Sequence, residues 1–162
     1  MPELDPRVAA LRAEFDRAFA EPVRDPGLPP EKLLLLGASG VPYAAGVTTV
    51  SRIEPFVAPT PLPGAPDGLL GIAAREGHVL AVWHLGTLLG LPGRPDPRWL
   101  VIVESPAGSV ALAAEEFGGV AMAPAVEAAA EAFEIAGVMR KRLDAGAVMK
   151  ELSRTVESAR RR

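Results

Sequence analysis

The sequence predicts a mainly β protein built of small closed or nearly closed barrels, and three observations carry that reading. Glycine and proline together number 33 (16 and 17) in 162 residues, so the chain turns often. Between the turns, apolar or β-branched runs recur at roughly eight-to-twelve-residue spacing, the pattern of small all-β folds. Hydrophobic residues make up 49% and charged residues 23%, enough apolar side chain for a core and unlike a disordered segment. Closure into barrels buries strand edges that would otherwise invite aggregation.

The first element departs from this pattern. Val8, Leu11, Phe15 and Phe19 recur at spacings of three and four among charged residues, so residues 5 to 20 form a helix with one apolar stripe. Asp5 before Pro6 supplies its cap and first position. Residues 21 to 30 contain four prolines and a glycine and continue neither a helix nor a central strand. Residues 1–30 are therefore an appendage, which either packs back on the domain or offers its stripe to a partner.

From Lys32 the period changes. The apolar run Leu33 to Gly37 ends at Ala38-Ser39-Gly40, and Val41 to Ile53 holds Tyr43, Val47 and Val50 among β-branched residues; these read as paired strands. Ala58 to Gly68 is a proline-rich crossing loop. Leu69 to Leu85 reads as two strands turning at Glu76-Gly77, followed by a helical turn from Leu85 to Leu91. After the loop Gly93 to Arg98, Trp99 to Ser105 and Ser109 to Phe117 form a hairpin around Pro106-Ala107-Gly108. Pro124 to Gly137 is alanine-rich, and propensity predicts a helix there. Phe133 to Leu152 also reads as a strand, an Asp-Ala-Gly turn and then a strand or helix. Ser153 to Arg162 reads as a solvent-exposed helical turn or two ending in a basic tail.

Composition excludes several functions. Cysteine is absent, which removes disulfides, thiolate metal sites and thiol nucleophiles. The aromatic fraction of 5% argues against a face of stacked bases, and the barrel region is acidic, so nucleic acid is not an expected partner. Net charge is −3 but uneven: Arg140 to Arg162 carries eight basic and three acidic residues. No apolar run approaches the ~20 residues that span a bilayer, and the start lacks a signal-peptide pattern, so the expected location is cytoplasmic with no direct membrane insertion.

Candidate catalysts are few. His78 and His84 share a strand face with Glu76, which makes a metal-dependent enzyme using Glu76, His78 and His84 the remote alternative. Residues six apart on a strand are ~20 Å apart, too far for both imidazoles to hold one ion. No nucleophile elbow, zincin helix or phosphate loop is present. Glu115 and Glu116 would point to opposite faces of a strand and form no dyad. No cofactor is expected, and the residues point to binding rather than catalysis.

Pro61 to Leu91, PLPGAPDGLLGIAAREGHVLAVWHLGTLLGL, resembles the signature of CheW-like coupling proteins: a P-x-x-P segment, a G-V-x-N-L-R-G turn and then V-x-P-V-x-D-L-x-x-L-L-G. Upstream, PYAAGVTTVSRI is similar to the family's Y-A-L-P-V-x-x-V-x-E-I; downstream, Ala111 to Val120 is similar to G-L-L-V-D-E-V-L-G-V, and the resemblance extends over about Glu31 to Leu152. It implies two intertwined five-stranded SH3-like barrels over residues 31–152, with an N-terminal helix and a short C-terminal helix followed by a basic tail at 153–162. It also implies a non-catalytic adaptor that joins the cytoplasmic tips of methyl-accepting chemoreceptors to the regulatory domain of a CheA-type histidine kinase in receptor arrays. The receptor groove carried over from the family comprises Val50, Ser51, Arg52, Gly71, Arg75, Glu76 and Gly77. Where the family has Asn-Leu-Arg-Gly, this chain has Ala74-Arg75-Glu76-Gly77, and Arg52 stands where the family has glutamate. An ion pair of Arg52 with Glu76, with exchanged polarity, is therefore expected, since Coulomb attraction is symmetric under the exchange. Ala81 and His84 stand for the family's proline and aspartate. These departures make a divergent accessory protein, bound to only one of the two partners and modulating array assembly, the alternative reading.

Overall fold

A computed structural model describes residues 29–105, 108–124 and 130–161. The expected N-terminal helix and all but the last two residues of its linker lie outside them. The described chain forms ten strands: β1 Glu31–Ala38, β2 Val41–Gly46, β3 Val50–Pro55, β4 Leu69–Arg75, β5 His78–His84, β6 Trp99–Ser105, β7 Gly108–Ala114, β8 Glu116–Ala123, β9 Ala132–Ile135 and β10 Val138–Leu143. A 3-10 turn covers Val47–Thr49, and two helices follow β5 and β10: α1 Leu85–Leu88 and α2 Ala145–Arg160.

The strands form two five-stranded sheets, in the orders β8-β1-β2-β10-β9 and β3-β6-β7-β5-β4. The chain starts in the first sheet, crosses at the 3-10 turn, builds the whole second sheet and returns at Glu115, so the second sheet is inserted within the first. Each sheet curls on itself. In the first, Ala123 of β8 and Phe133 of β9, from opposite ends of the strand order, share one core cluster with Leu33, Leu35 and Ala44. In the second, Glu54 of β3 and Arg75 of β4, also from opposite ends, are ion-paired.

This arrangement explains why the central strands read as unbroken apolar runs. On β1, Leu33 and Leu35 face the interior of the first barrel, while Leu34 and Leu36 face a seam shared by both sheets. On β6, Leu100 and Ile102 fill the second barrel while Val101 and Val103 face the same seam. The seam is the largest core, and Trp83, Leu85 and Tyr43 are buried in it. Burial on both sides removes the polar alternation that a half-exposed strand shows.

The hairpin turns follow from local chemistry. Ser39-Gly40, Glu76-Gly77 and Ala136-Gly137 have φ values of 48° and 76°, 47° and 82°, and 52° and 77°. Positive φ at both central residues is the type I′ geometry whose twist suits a two-residue hairpin.

Four expectations need correction. Val41 to Ile53 is not continuous with one strand pair: it breaks at the 3-10 turn, and its halves β2 and β3 belong to different sheets. Likewise, Ser109 to Phe117 breaks at Glu115 into β7 and β8. The helix expected over Pro124 to Gly137 is overturned where the chain is described beyond Pro124, because Ala132–Ile135 is a strand antiparallel to β10; residues 125–129 lie outside the described residues. Pairing to β10 and burial of Phe133 outweigh alanine's helix propensity. The C-terminal helix starts earlier than the tail reading, at Ala145, and packs Val148, Met149, Leu152 and Val156 against the seam core.

Candidate functional site

Most of the expected site residues gather at one mouth of the second barrel. Ser51, Arg52, Arg75, Glu76, His78 and Glu104 ring a cavity of about 180 Å³ floored by Leu80 and Ile102. Three local features build this rim. A bulge between Val50 and Arg52 leaves Ser51 unpaired in the ladder, with its hydroxyl donating to the Ile102 carbonyl at 3.2 Å. The β4–β5 turn lifts Glu76 over the rim, and the β6–β7 hairpin brings Glu104 and Ser109 to it.

The rim is neutralised internally. Arg52 donates from Nη1 and Nη2 to the two oxygens of Glu76 at 2.6 and 2.9 Å, a two-pronged contact between side chains 45% and 68% exposed. Hydrogen bonding and then charge from Arg52 hold the Glu76 carboxyl below its ordinary value, and the same two causes raise Arg52. Arg75 donates through Nε to Glu54. The Ser109 hydroxyl donates to Glu104 at 2.6 Å, and that bond is the largest cause lowering the Glu104 carboxyl. A small charged ligand would have to displace one of these pairings, whereas a protein surface can match the rim as it stands.

The remaining expected residues have other surroundings. Val50 packs against the seam core. Gly71 has φ +145°, and a Cβ there would lie 2.2 Å from the Thr60 carbonyl oxygen, so the close approach belongs to the chain's own proline-rich loop. Thr60 and Ile72 exchange backbone hydrogen bonds of 2.8 and 2.9 Å, which covers the outer edge of β4. Gly77 has φ +82° and open space around it, so its requirement is conformational.

His84 lies apart from His78, at the other end of β5, and is 1% exposed. Its Nδ1 accepts from the Thr87 backbone N–H at 3.2 Å, capping α1. That acceptor role assigns the ring proton to Nε2, which faces the Pro95 carbonyl and Glu115 Oε1, each at 3.3 Å. Glu115 Oε2 in turn accepts from Ser39 N–H at 2.6 Å, so a polar chain runs from the β1–β2 turn of one barrel to the end of β5 in the other. Sequence reading missed this node; the available signal was an isolated histidine closing an apolar strand. The structure thus separates His84 from Glu76 and His78, and among the described residues no group of three His, Cys, Asp or Glu side chains is placed to hold a metal ion. Among the described residues, no helix is long and apolar enough to cross a membrane.

The seam reaches the surface along β8. Phe117 meets Trp99 edge to face, with ring centroids 5.5 Å apart, and so joins the two sheets. Beyond it Val120 and Met122 are exposed.

A family model of the CheW-like domain matches residues 32–141. Among solved structures, the scaffolding protein TtCheW from Thermoanaerobacter tengcongensis is similar, with a TM-score of 0.62 at 17% identity, covering 71% of this chain and 89% of that one. At that identity the likeness concerns the fold. The search of curated proteins found no match to the chain. With ten strands in two interlocked sheets and a family match over more than half of its length, the chain belongs to the CheW-like domain family.

Proposed function

We propose that this protein is a non-catalytic adaptor of a bacterial chemosensory array, coupling the helical-hairpin tip of a methyl-accepting chemoreceptor to the regulatory domain of a CheA-type histidine kinase in the cytoplasm. The observation that carries the reading is the family match over the two-barrel body. The self-neutralised rim adds support, since it suits recognition of a protein surface better than capture of a small ion. Val50, Ser51, Arg52, Gly71, Arg75, Glu76 and Gly77 are the proposed receptor-binding residues. Of these, Arg52, Arg75 and Glu76 offer charge, and Gly71 acts by seating the Thr60 segment beside the rim.

The test is calorimetric titration of the full chain with a cognate receptor hairpin and, separately, with a cognate kinase regulatory domain. Binding to both is expected. Arg52→Glu should weaken the receptor arm about tenfold, and the double exchange Arg52→Glu/Glu76→Arg should restore the rim pair without restoring receptor affinity, because an external charge distinguishes the two polarities. Binding to neither partner by a folded chain overturns the reading. Binding to one alone selects the accessory form, which the exchanged polarity at Arg52 and Glu76 favours over a full adaptor if the receptor is the partner lost.

A further inference from the structure

The mouth of the second barrel carries one charge that its own pairings leave over. On β6, Leu100, Ile102 and Glu104 follow at alternate positions, and on β5 Val82, Leu80 and His78 do the same. Glu104 and His78 therefore stand at the outer ends of rows whose apolar members fill the barrel. Around them, Arg52 answers Glu76 and Arg75 answers Glu54. Glu104 has no such counterpart: its bond is from the neutral Ser109 hydroxyl, and among the described residues no arginine, lysine or histidine forms an ion pair with it. His78 acts on it through charge alone, when protonated. With His78 neutral, two arginines against three carboxylates leave the mouth one negative charge.

The space beside that charge is apolar and small. The cavity of about 180 Å³ is floored by Leu80 and Ile102, and the two hydroxyls on its wall are already engaged, Ser51 with the Ile102 carbonyl and Ser109 with Glu104. Pockets for drug-sized ligands run to roughly 300–1,000 Å³, so this one has the scale of a single long side chain. An apolar side chain seated there would leave the Glu104 charge against an apolar surface, and an acidic one would be repelled. Lysine and arginine meet both demands, since each carries an aliphatic stem that packs on apolar surface and ends in a cation.

We infer that this mouth is a socket for one basic side chain of the partner helix, its stem laid on Leu80 and Ile102 and its cation sharing Glu104 with the Ser109 hydroxyl. The identity of the donor, a lysine or arginine of the receptor hairpin, rests on the adaptor reading; the socket itself does not. The neighbouring Arg52–Glu76 and Arg75–Glu54 pairs are closed and offer no second unpaired carboxylate, so one basic position on the helix fixes the register in which it docks.

Two measurements on the full chain test this. In the first, n-butylammonium stands in for a lysine side chain. At millimolar concentration it should shift the Leu80 and Ile102 methyl resonances, while 1-butanol, with the same stem and no charge, and butylammonium added to Glu104→Gln should each shift them about threefold less. In the second, Glu104→Lys should weaken binding of the receptor hairpin about tenfold, and changing one lysine or arginine of the hairpin to glutamate should restore it. Glu134→Lys, the same charge change at an exposed site of the first barrel, should alter binding by less than about twofold. No shift with butylammonium, equal shifts with butanol, shifts retained in Glu104→Gln, equal binding of the hairpin by Glu104→Lys, equal losses from Glu134→Lys, or rescue by no hairpin substitution would each overturn the inference. A hairpin that fails to bind the unaltered chain overturns the adaptor reading instead, and the butylammonium shifts then decide the socket by themselves.

Discussion

Gly71 shows how a single position is set by contacts far along the chain. Its φ of +145° and the Thr60 carbonyl oxygen 2.2 Å from a hypothetical Cβ leave no room for a side chain. Gly71→Ala is expected to cost about 2–4 kcal/mol, read as a lower urea midpoint. At the barrel mouth, Glu104 is governed by hydrogen bonding, since Ser109 holds its carboxyl below the ordinary 4.5. A lowered folded-state value means that the unfolded chain binds the extra proton first, so this contribution is complete above about 4.5 and is lost as pH falls through the folded-state value. In urea titrations from pH 3 to 7, the deficit of Glu104→Gln should therefore be largest near neutrality and shrink in acid. A deficit constant across that range would exclude Glu104 ionisation as its source.

At the scale of elements, turns were legible because their chemistry is local. Glu76-Gly77 was read directly as a turn, and the positive φ of both residues follows from the two-residue hairpin. Ala136 occupies the same geometry with φ 52°, where a Cβ is strained, and it is exposed. Ala136→Asn should raise stability by about 0.5–1 kcal/mol in equilibrium unfolding, since asparagine tolerates this region. Asp144 caps α2 by accepting from Gly146 N–H at 2.8 Å, and Asp144→Ala should cost about 1 kcal/mol, seen as a lower Tm. Strand β9 was legible only as one of two readings for the opposite reason: four residues, Ala-Phe-Glu-Ile, carry too little pattern to decide against an alanine-rich context. Their state depends on the free backbone of β10 and on space for Phe133.

At the scale of the molecule, insertion of one barrel within the other couples them. The seam core draws on both sheets, Phe117 meets Trp99 across it, and the Ser39–Glu115–His84 chain ties their ends. One cooperative transition is expected. Trp83 lies in the shared seam and Trp99 against Phe117 of the first sheet, so their fluorescence reports the junction of the barrels, whereas far-ultraviolet circular dichroism reports the strands of both. Coincident midpoints would support a single folding unit; separate midpoints would show that the junction and the strands do not unfold together.

By itself the sequence determined the β class, most strand positions, the tight turns, the absence of thiol chemistry and the residues that carry the family signature. These depend on patterns within a few residues, where backbone sterics and side-chain alternation act directly. Only the tertiary structure decided that Val41 to Ile53 serves two sheets, that Leu33 to Leu36 is buried from both sides, that Arg75 meets Glu54, and that His84 is a buried cap. Each of those outcomes depends on which distant strand supplies the neighbouring backbone, charge or volume, and long-range closure does not leave a local mark in the chain.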